Sequence, residues 1–239
     1  MSRALVTGGS GTIGGAIART LAAMGHHVYV HAHGQLARAE EVATAIIAAG
    51  GAAEAVQFDI TDAAQTEQAL AQMLAMGPIQ ILVNNAGIQD DAVMPGMRQA
   101  QWASVIDVSL NGFFNVTQPL LLPMIRTRWG RIICISSVAA VMGNRGQANY
   151  AAAKAGMHGA ARSLALELAS RGITVNTVAP GIIASPATET VFPKEVITKL
   201  VPMQRAGQPE EVADLIAFLA SERASYISGQ LISINGAMA

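Results

Sequence analysis

Short apolar runs alternate with longer alanine-rich segments along this chain of 239 residues. Apolar runs bounded by turn residues predict buried strands, and the segments between them are long enough for helices. The predicted strands are Ala4–Thr7, His27–His31, Ala53–Phe58, Ile79–Val83, Arg131–Ser136, Thr174–Val178 and Leu231–Ile234. The predicted helices begin near Ile13, Leu36, Ala63, Gln101, Ala148 and Pro209. Such alternation predicts a doubly wound α/β fold, with a seven-stranded parallel sheet and helices on both faces.

No fixed-length repeat and no low-complexity linker divides the sequence, so we expect residues 1–239 to form a single domain. The least regular segment, about 181–202, contains Pro186, Pro193 and Pro202 among apolar residues. This pattern predicts a loop with short helices over the sheet edge, and we expect it to act as a substrate lid.

A glycine-rich segment follows the first predicted strand and leads directly into the first helix. Glycines allow a tight turn and a close approach to a diphosphate, and the helix N-terminus offers free N–H groups. The spacing Gly9-x-Gly11-x-x-Gly14 matches the dinucleotide-binding fingerprint. The residues expected to contact the cofactor here are Gly8, Gly9, Ser10, Gly11, Thr12, Ile13 and Gly14.

Polar residues also follow the third and fourth predicted strands. After the third strand, Asp59 could accept a hydrogen bond from an adenine amino group beside Ile60, or it could cap the following helix. After the fourth strand, Asn85, Ala86 and Gly87 could close a turn, or they could face a cofactor at the carboxyl edge of the sheet.

The end of the second strand lacks the acidic residue that binds the ribose 2′-hydroxyl of NAD. Its absence favours NADP(H) over NAD(H), because no carboxylate would repel the 2′-phosphate. No arginine takes its place, so the 2′-phosphate would depend on His33, backbone N–H groups or the more distant Arg38.

Tyr150 and Lys154 are four residues apart in a helical segment and so share one face. Tyrosine has a pKa near 10, and an adjacent ammonium is expected to lower it. Ser137, at the end of the fifth strand, could hydrogen-bond and polarise a substrate carbonyl. Taken singly these are ordinary surface residues, but together, downstream of a dinucleotide turn, they predict catalysis.

Composition limits the remaining functions. A net charge of −1 without basic runs disfavours nucleic-acid binding, and 51% hydrophobic against 13% charged residues favours self-association. Cys134 is expected in a buried strand, and no metal site is predicted. Neither a signal peptide nor an apolar stretch of membrane-spanning length is evident, so we expect a cytoplasmic protein without a membrane partner.

The chain resembles the short-chain dehydrogenase/reductase family, which has a Rossmann fold. The match runs in order across the chain through the glycine-rich turn, Asn84-Asn85-Ala86-Gly87, Asn111, Ser137, Tyr150-x-x-x-Lys154 and Pro180-Gly181. The resemblance implies that Tyr150 donates a proton, Ser137 holds the substrate oxygen, and Lys154 binds the nicotinamide ribose. It also implies that Asn111 holds a water of a proton relay. Pro180, Gly181 and Ile183 are implied to contact the cofactor.

Within this family the chain is most similar to bacterial reductases of 3-oxoacyl thioesters on acyl-carrier protein. That similarity implies NADPH as cofactor, a homotetramer, and a place in fatty-acid or specialised polyketide or polyene-type synthesis. It also assigns Arg128 and Arg171 to carrier-protein contact, although both could simply be solvated helix-end residues.

Two segments depart from the family pattern. Gly11 stands where an arginine is common and Thr12 where the middle glycine is common, which removes one expected 2′-phosphate contact. Ser185 and Pro186 replace the usual threonine and acidic residue. We therefore also consider an NAD-dependent dehydrogenase of a small alcohol, sugar or hydroxy acid, and a non-catalytic dinucleotide sensor.

Overall fold

The computed structural model describes residues 2–239, apart from the side chains at positions 187 and 189. All seven strands belong to one parallel sheet in the order β3-β2-β1-β4-β5-β6-β7. The strands are β1 Arg3–Val6, β2 His27–Ala32, β3 Ala52–Gln57, β4 Ile79–Asn84, β5 Gly130–Ile135, β6 Ile173–Pro180 and β7 Leu231–Ile234. This sheet confirms the predicted fold class, and each strand lies within two residues of its predicted bounds.

Ten α-helices connect and cover the strands in the described part of the chain. They are α1 Thr12–Ala23, α2 Leu36–Ala48, α3 Ala63–Ala75, α4 Gln99–Ile106, α5 Gly112–Thr127, α6 Ala139–Met142, α7 Ala148–Leu168, α8 Pro186–Val191, α9 Lys194–Leu200 and α10 Pro209–Ala220. A π-helical turn, Asp107–Asn111, joins α4 to α5. The irregular segment after β6 thus contains α8 and α9, as the prolines predicted.

The alternation of side chains along each strand builds two cores, one on each face of the sheet. On β5, Ile133 and Ile135 pack with α1, α2 and α10, whereas Ile132 and Cys134 pack with α3, α5 and α7. Because both faces are covered, the central strands β4 and β5 carry consecutive apolar residues at 81–83 and 132–135. Cys134 is buried as predicted, and burial raises the pKa of its thiol to about 12.

Strand order places one crevice at the carboxyl edge of the sheet. The chain runs outward from β1 to β3 and then crosses back to β4, so the order reverses between β1 and β4. Loops after these neighbouring strands diverge at such a point and leave room for a ligand. Within residues 2–239, no helix combines the length and apolarity needed to cross a membrane.

Candidate active site

A cleft of about 890 Å³ opens at this reversal point. It is continuous from the turn after β1 to the N-terminal part of α7. The predicted residues that line it are Gly8, Ser10, Gly11, Thr12, Ile13, Gly14, His33, Asp59, Ile60, Asn85, Ala86, Gly87, Ser137, Tyr150, Lys154, Pro180, Gly181 and Ile183. One end of the cleft therefore carries the glycine-rich turn, and the other carries the predicted catalytic side chains.

The glycine-rich turn is closed tightly at Gly8, Gly9 and Gly14, where an added Cβ would lie 3.1 Å or less from backbone atoms. Gly8 has φ +62°, and Gly11 N donates to Gly8 O at 3.1 Å. A Cβ on Gly14 would lie 2.3 Å from Gly8 O, so any larger residue there would force the turn apart. No side chain caps the N-terminus of α1 at Gly11. Its first N–H groups therefore face the cleft, as a diphosphate site requires.

His31, a residue with no role predicted from the sequence, stabilises the glycine-rich turn through hydrogen bonds. Gly8 N donates to His31 Nδ1 at 3.1 Å, and His31 Nε2 donates to Phe58 O at 2.9 Å. The ring is buried, and burial lowers the pKa of His31 to about 4. The imidazole is therefore neutral, with its proton on Nε2. A histidine at the end of a buried strand was the only signal in the sequence.

Asn85 braces the same turn from the end of β4. Its Nδ2 donates to Thr7 O at 2.9 Å and to Gly8 O at 3.1 Å. Thr7 Oγ1 in turn accepts from the backbone N–H groups of Asn85 and Ala86. Asn84 instead points into the core and donates to Thr117 Oγ1. The two asparagines therefore have different environments, and only Asn85 reaches the cleft.

Asp59 does not cap α3, because Asp62 fills that role and accepts from Gln65 N. Asp59 Oδ1 accepts from Thr61 N at 2.9 Å and from Thr61 Oγ1 at 2.8 Å, and it lies 3.4 Å from His33 Nδ1. Burial raises the pKa of Asp59, but the hydrogen bonds from Thr61 and the adjacent His33 outweigh it and leave the pKa below its usual value. The carboxylate is therefore ionised at the cleft wall.

Lys154 is fixed in the interior by a single hydrogen bond. Its side chain is only 2% exposed, and Nζ donates to Ile135 O at 2.9 Å. Burial lowers the pKa of Lys154 to about 8, with a small opposing effect of Cys134. An ammonium has three donors, so two remain for groups in the cleft.

Tyr150 lies beside this lysine, with Nζ 5.9 Å from the centre of its ring. Contrary to the expectation from spacing, the pKa of Tyr150 is raised. Burial is the main cause and Asp91 adds to it, while hydrogen bonds with Ser137 and Gln89 act in the opposite direction. The phenol is therefore protonated at neutral pH. The depth of burial, which decided the direction, was not visible in the sequence.

Ser137 lies two residues beyond β5, next to Tyr150 in the cleft. Its Oγ accepts from Ala139 N at 3.1 Å, and the same hydroxyl hydrogen-bonds with Tyr150. Val138 N donates to Pro180 O at 2.7 Å and joins the ends of β5 and β6. The structure thus brings Ser137, Tyr150 and Lys154 together, as the sequence predicted.

Asn111 is not among the residues that line the cleft. It is exposed and donates from Nδ2 to Asp107 Oδ1 at 2.7 Å. Val108 is the residue of this π turn that lines the cleft, and Ser109 is the one buried among core residues. Two residues of helix amount to roughly half a turn, so Asn111 points away from the side occupied by Ser109.

Arg128 and Arg171 lie far from the cleft of their own chain. They precede β5 and β6 and are therefore at the amino edge of the sheet, whereas the cleft is at the carboxyl edge. Both are exposed, and Arg128 Nη2 donates to Ser170 O at 3.0 Å, which makes the two arginines neighbours.

The segment after β6 closes one side of the cleft. Gly181 N donates to Ile234 O, and Ala184 N donates to Gly207 O. Ser185 caps α8 by accepting from Thr188 N at 3.0 Å, and both residues line the cleft. Ser185 thus has a structural role in this chain at a position where it departs from the family pattern.

A parallel α/β sheet with a glycine-rich turn and a Ser-Tyr-Lys cluster in one cleft defines a nucleotide-dependent oxidoreductase. The profile of the short chain dehydrogenase family matches residues 2–196. This chain belongs to the short chain dehydrogenase family. Membership implies a nicotinamide dinucleotide cofactor, and the closed glycine turn with the free N-terminus of α1 fits that group.

Curated relatives cover almost the whole chain. A 3-oxoacyl-(acyl-carrier-protein) reductase of Synechocystis is 47% identical over 237 residues, which is 98% of this chain and 96% of the relative. Reductases of the same name from Aggregatibacter actinomycetemcomitans and Staphylococcus aureus are each 44% identical. The alignments cover 98% of this chain in both cases, and 98% and 97% of those two relatives.

Proposed function

We propose that this chain is an NADPH-dependent reductase that converts a 3-oxoacyl thioester on acyl-carrier protein into the 3-hydroxyacyl thioester. Such a reaction belongs to fatty-acid or polyketide-type chain synthesis. The observation that carries the proposal is one continuous cleft that joins the glycine-rich turn to Ser137, Tyr150 and Lys154. The substrate class comes from the names of relatives that align over nearly the full chain.

The catalytic roles follow from the contacts of each side chain. The bound dinucleotide would supply a hydride to the carbonyl carbon. Ser137, whose hydroxyl lies next to that of Tyr150, donates a hydrogen bond to the carbonyl oxygen when the substrate is bound. Tyr150, held protonated by its raised pKa, transfers its phenol proton to that oxygen as negative charge develops on it. One hydride and one proton together convert the ketone to the alcohol.

Lys154 supports the proton transfer from Tyr150. One of its three donors is taken up by Ile135 O, and the remaining two are available for the nicotinamide ribose hydroxyls and the phenol oxygen. Its positive charge stabilises the phenolate that forms when Tyr150 gives up its proton. The backbone carbonyl of Ile135 keeps the Lys154 ammonium in place, so little reorganisation is needed during the reaction.

The preference for NADPH rests on the wall after β2. His33 and Arg38 line the cleft there, and no carboxylate occupies the position that would bind a 2′-hydroxyl. The nearest acid, Asp59, is already paired with His33. The guanidinium of Arg38 therefore supplies this part of the wall with a cation for a 2′-phosphate.

Contact with the carrier protein is proposed for Arg128 and Arg171, which form an exposed basic pair suited to an acidic helix. A six-residue strand, β5, separates this pair from Ser137, which is a distance of about 20 Å. Charge reversal of both arginines is expected to raise KM for a carrier-protein substrate but not for the corresponding coenzyme A thioester. Equal effects on both substrates would remove this assignment.

Self-association as a homotetramer is supported by apolar side chains on one face of the molecule. Phe114 and Leu122 of α5 and Leu166 of α7 are 62%, 63% and 85% exposed. Large apolar groups on neighbouring helices favour burial against a second copy. Sedimentation at micromolar concentration is expected to show tetramers, and monomers alone would contradict the proposal.

The reaction is tested by following NADPH absorbance with 3-oxoacyl thioesters on carrier protein and on coenzyme A, with NADH in parallel. Rapid NADPH oxidation that is lost in Tyr150→Phe supports the proposal. Inactivity with every thioester, together with NAD reduction by a small alcohol, sugar or hydroxy acid, would replace it with the dehydrogenase alternative. A Tyr150→Phe variant that behaves like the parent in all assays would point to a dinucleotide sensor.

A further inference from the structure

The loop after β4 carries a glutamine that no step of the proposed reaction uses. Gln89 lines the cleft together with Ser137 and Tyr150, and its side chain hydrogen-bonds with the Tyr150 hydroxyl. Burial raises the pKa of Tyr150, and the contacts with Ser137 and Gln89 oppose it, as donors to a phenol oxygen do. A side-chain amide has two N–H donors, so one contact with Tyr150 leaves the other for a ligand.

Hydrogen bonds between neighbouring residues hold Gln89 and Tyr150 beside each other. Asn149, the residue before Tyr150, is fully buried, and its Nδ2 donates at 2.9 Å to the backbone oxygen of Asp90, the residue after Gln89. Asp90 Oδ1 accepts from Gln101 Nε2 at 2.6 Å. Because the bonded residues adjoin Gln89 and Tyr150 in the sequence, the backbone that carries Gln89 is fixed relative to the phenol.

The following residues of the loop extend this attachment. Asp91 Oδ2 accepts from Gln147 Nε2 at 2.8 Å, and Ala92 N donates to Gly146 O at 2.9 Å. The loop is therefore bonded to the segment that leads into α7 at each of the three residues after Gln89. Gln89 itself is exposed to the cleft, so a substrate can take up its amide without breaking any of these bonds.

The substrate of the proposed reaction has two carbonyl groups, at C1 and C3, which are separated by one methylene. Ser137 and Tyr150 hold the oxygen at C3 in that reaction. The C1 oxygen of the thioester then lies one methylene away, in the neighbourhood of an amide that contacts the same phenol. A neutral amide donor matches an uncharged thioester carbonyl, whereas a carboxylate is bound most strongly by a cation.

Charge at this end of the cleft also favours an uncharged substrate. Besides burial, the negative charge of Asp91 raises the pKa of Tyr150, so Asp91 lies close enough to act on a group at the phenol. It would repel an anion bound there. Lys154 is the cation at this end of the described cleft, and one of its donors is already taken up by Ile135 O. A free 3-oxo acid is therefore disfavoured relative to its thioester.

We propose that Gln89 determines substrate specificity by donating a hydrogen bond to the thioester carbonyl oxygen while Ser137 and Tyr150 hold the 3-oxo oxygen. The cleft thereby selects an uncharged 1,3-dicarbonyl compound over a simple ketone. This inference rests on the proposed reductase function and adds to it the group that recognises the thioester.

The test compares two ketones that differ only at C1. One is acetoacetyl-pantetheine, and the other is the thioether formed by adding pantetheine to methyl vinyl ketone, in which a methylene replaces the C1 carbonyl. Gln89→Met keeps the length of the side chain without a donor. In this variant the thioester:thioether ratio of kcat/KM is expected to fall about three- to tenfold, as for one lost hydrogen bond. An effect that passes through Tyr150 changes both substrates equally and cancels in the ratio.

Two further variants sharpen the comparison. Gln80→Met is the matched control, because Gln80 lies near the start of β4, at the opposite edge of the sheet, where it donates to Thr127 Oγ1. It is expected to leave the ratio unchanged. Gln89→Glu places an acceptor where the donor was and is expected to lower the ratio further than Gln89→Met. Dissociation constants for NADPH are expected to stay within about twofold of the parent in all three variants, as for other exposed substitutions.

A loss confined to the thioester in Gln89→Met supports the proposal. Equal losses with both ketones would show that Gln89 acts only through Tyr150, and unchanged values would show that it contacts neither the phenol nor the substrate during the reaction. Either result would overturn the inference and leave the reductase function intact. A parent that reduces neither ketone, nor a 3-oxoacyl-carrier protein, would overturn the proposed function and this inference with it.

Discussion

The two ends of the cleft are built in opposite ways. At the nicotinamide end, Lys154 is 2% exposed and fastened to the main chain of β5. At the adenosine end, the His33 side chain is 69% exposed and lies beside Asp59, with 3.4 Å between Nδ1 and Oδ1. The end proposed for proton transfer is thus fixed by the core, while the end proposed to select the cofactor lies at the surface. Changes at the adenosine end can therefore alter cofactor choice without disturbing the chemistry.

The largest effect is expected from removing the proton donor at the fixed end. Tyr150→Phe deletes only the hydroxyl, so kcat for ketone reduction is expected to fall by about 10²–10⁴, the range for loss of a general acid. Dissociation constants for NADPH are expected to change by less than about threefold, because the phenol is not the main cofactor anchor. A comparable loss in cofactor affinity and in kcat would contradict the separation of the two ends.

The pH dependence of Lys154 is expected to be the next largest effect. Its pKa of about 8 means that the ammonium is present below that pH and is lost above it. In the parent, kcat/KM for the cofactor is expected to fall by up to tenfold per pH unit above about 8. Lys154→Arg, which stays charged, is expected to be less active but flat over this range. A parent profile that stays flat to pH 9.5 would refute the role given to the ammonium.

Substitutions of His31 test whether the glycine-rich turn at the adenosine end depends on the hydrogen bond from Gly8. His31→Leu leaves the Gly8 N–H and the Phe58 carbonyl unpaired, which costs about 1–3 kcal/mol in stability and weakens both dinucleotides. His31→Asn keeps an acceptor near the position of Nδ1 and is expected to retain most of the dinucleotide affinity. Equal binding by the leucine and asparagine variants would show that the turn does not need this bond.

The same histidine makes stability depend on pH. Its pKa is about 4 in the folded protein against 6.5 when unfolded, so the unfolded chain binds more protons between these values. Stability is therefore complete above pH 6.5 and is lost as pH falls towards 4, by about 3 kcal/mol at most. Urea unfolding at pH 7 and pH 4.5 measures how far the free energy of unfolding falls between these two pH values in the parent and in His31→Asn. An identical fall in both proteins would mean that His31 is not held neutral.

The smallest effect is expected at Asn111. Because its amide is exposed and bonded to Asp107, Asn111→Ala is expected to change kcat by less than about twofold, as for other surface substitutions. Steady-state kinetics with NADPH and a 3-oxoacyl thioester measures this directly. A tenfold loss would restore the relay role that the resemblance implied.

The fold could be predicted because burial on both faces leaves consecutive apolar residues in central strands, as at 81–83 in β4 and 132–135 in β5. We could also predict that Ser137, Tyr150 and Lys154 cluster, because strand ends and helical spacing determine where those side chains meet. The π turn Asp107–Asn111 was not predictable, because the apolar pattern of a helix does not reveal a locally widened turn. That turn decides which residues face inward, and so it decided the outcome for Asn111.

The direction in which the Tyr150 pKa shifts could not be predicted from the sequence, and neither could the hydrogen bond from Gly8 to His31. Both depend on how deeply a side chain is covered by segments distant in the chain, which spacing within one element does not contain. The alternatives at Asp59 were separated only when Asp62 was seen to cap α3. Local motifs thus identified the chemistry, and long-range packing determined its electrostatics.

The proposed reductase activity requires that a hydride pass to the 3-oxo carbon of an acyl thioester in the cleft. The most direct test is to incubate the protein with a 3-oxoacyl-carrier protein and NADPH deuterated at both C4 positions of the nicotinamide, and to analyse the product by mass spectrometry. The expected product is a 3-hydroxyacyl thioester with one deuterium at C3, formed one-to-one with oxidised cofactor, and formed about 10²–10⁴ times more slowly with Tyr150→Phe. A product without deuterium, or no 3-hydroxyacyl product while the cofactor is bound, would contradict it.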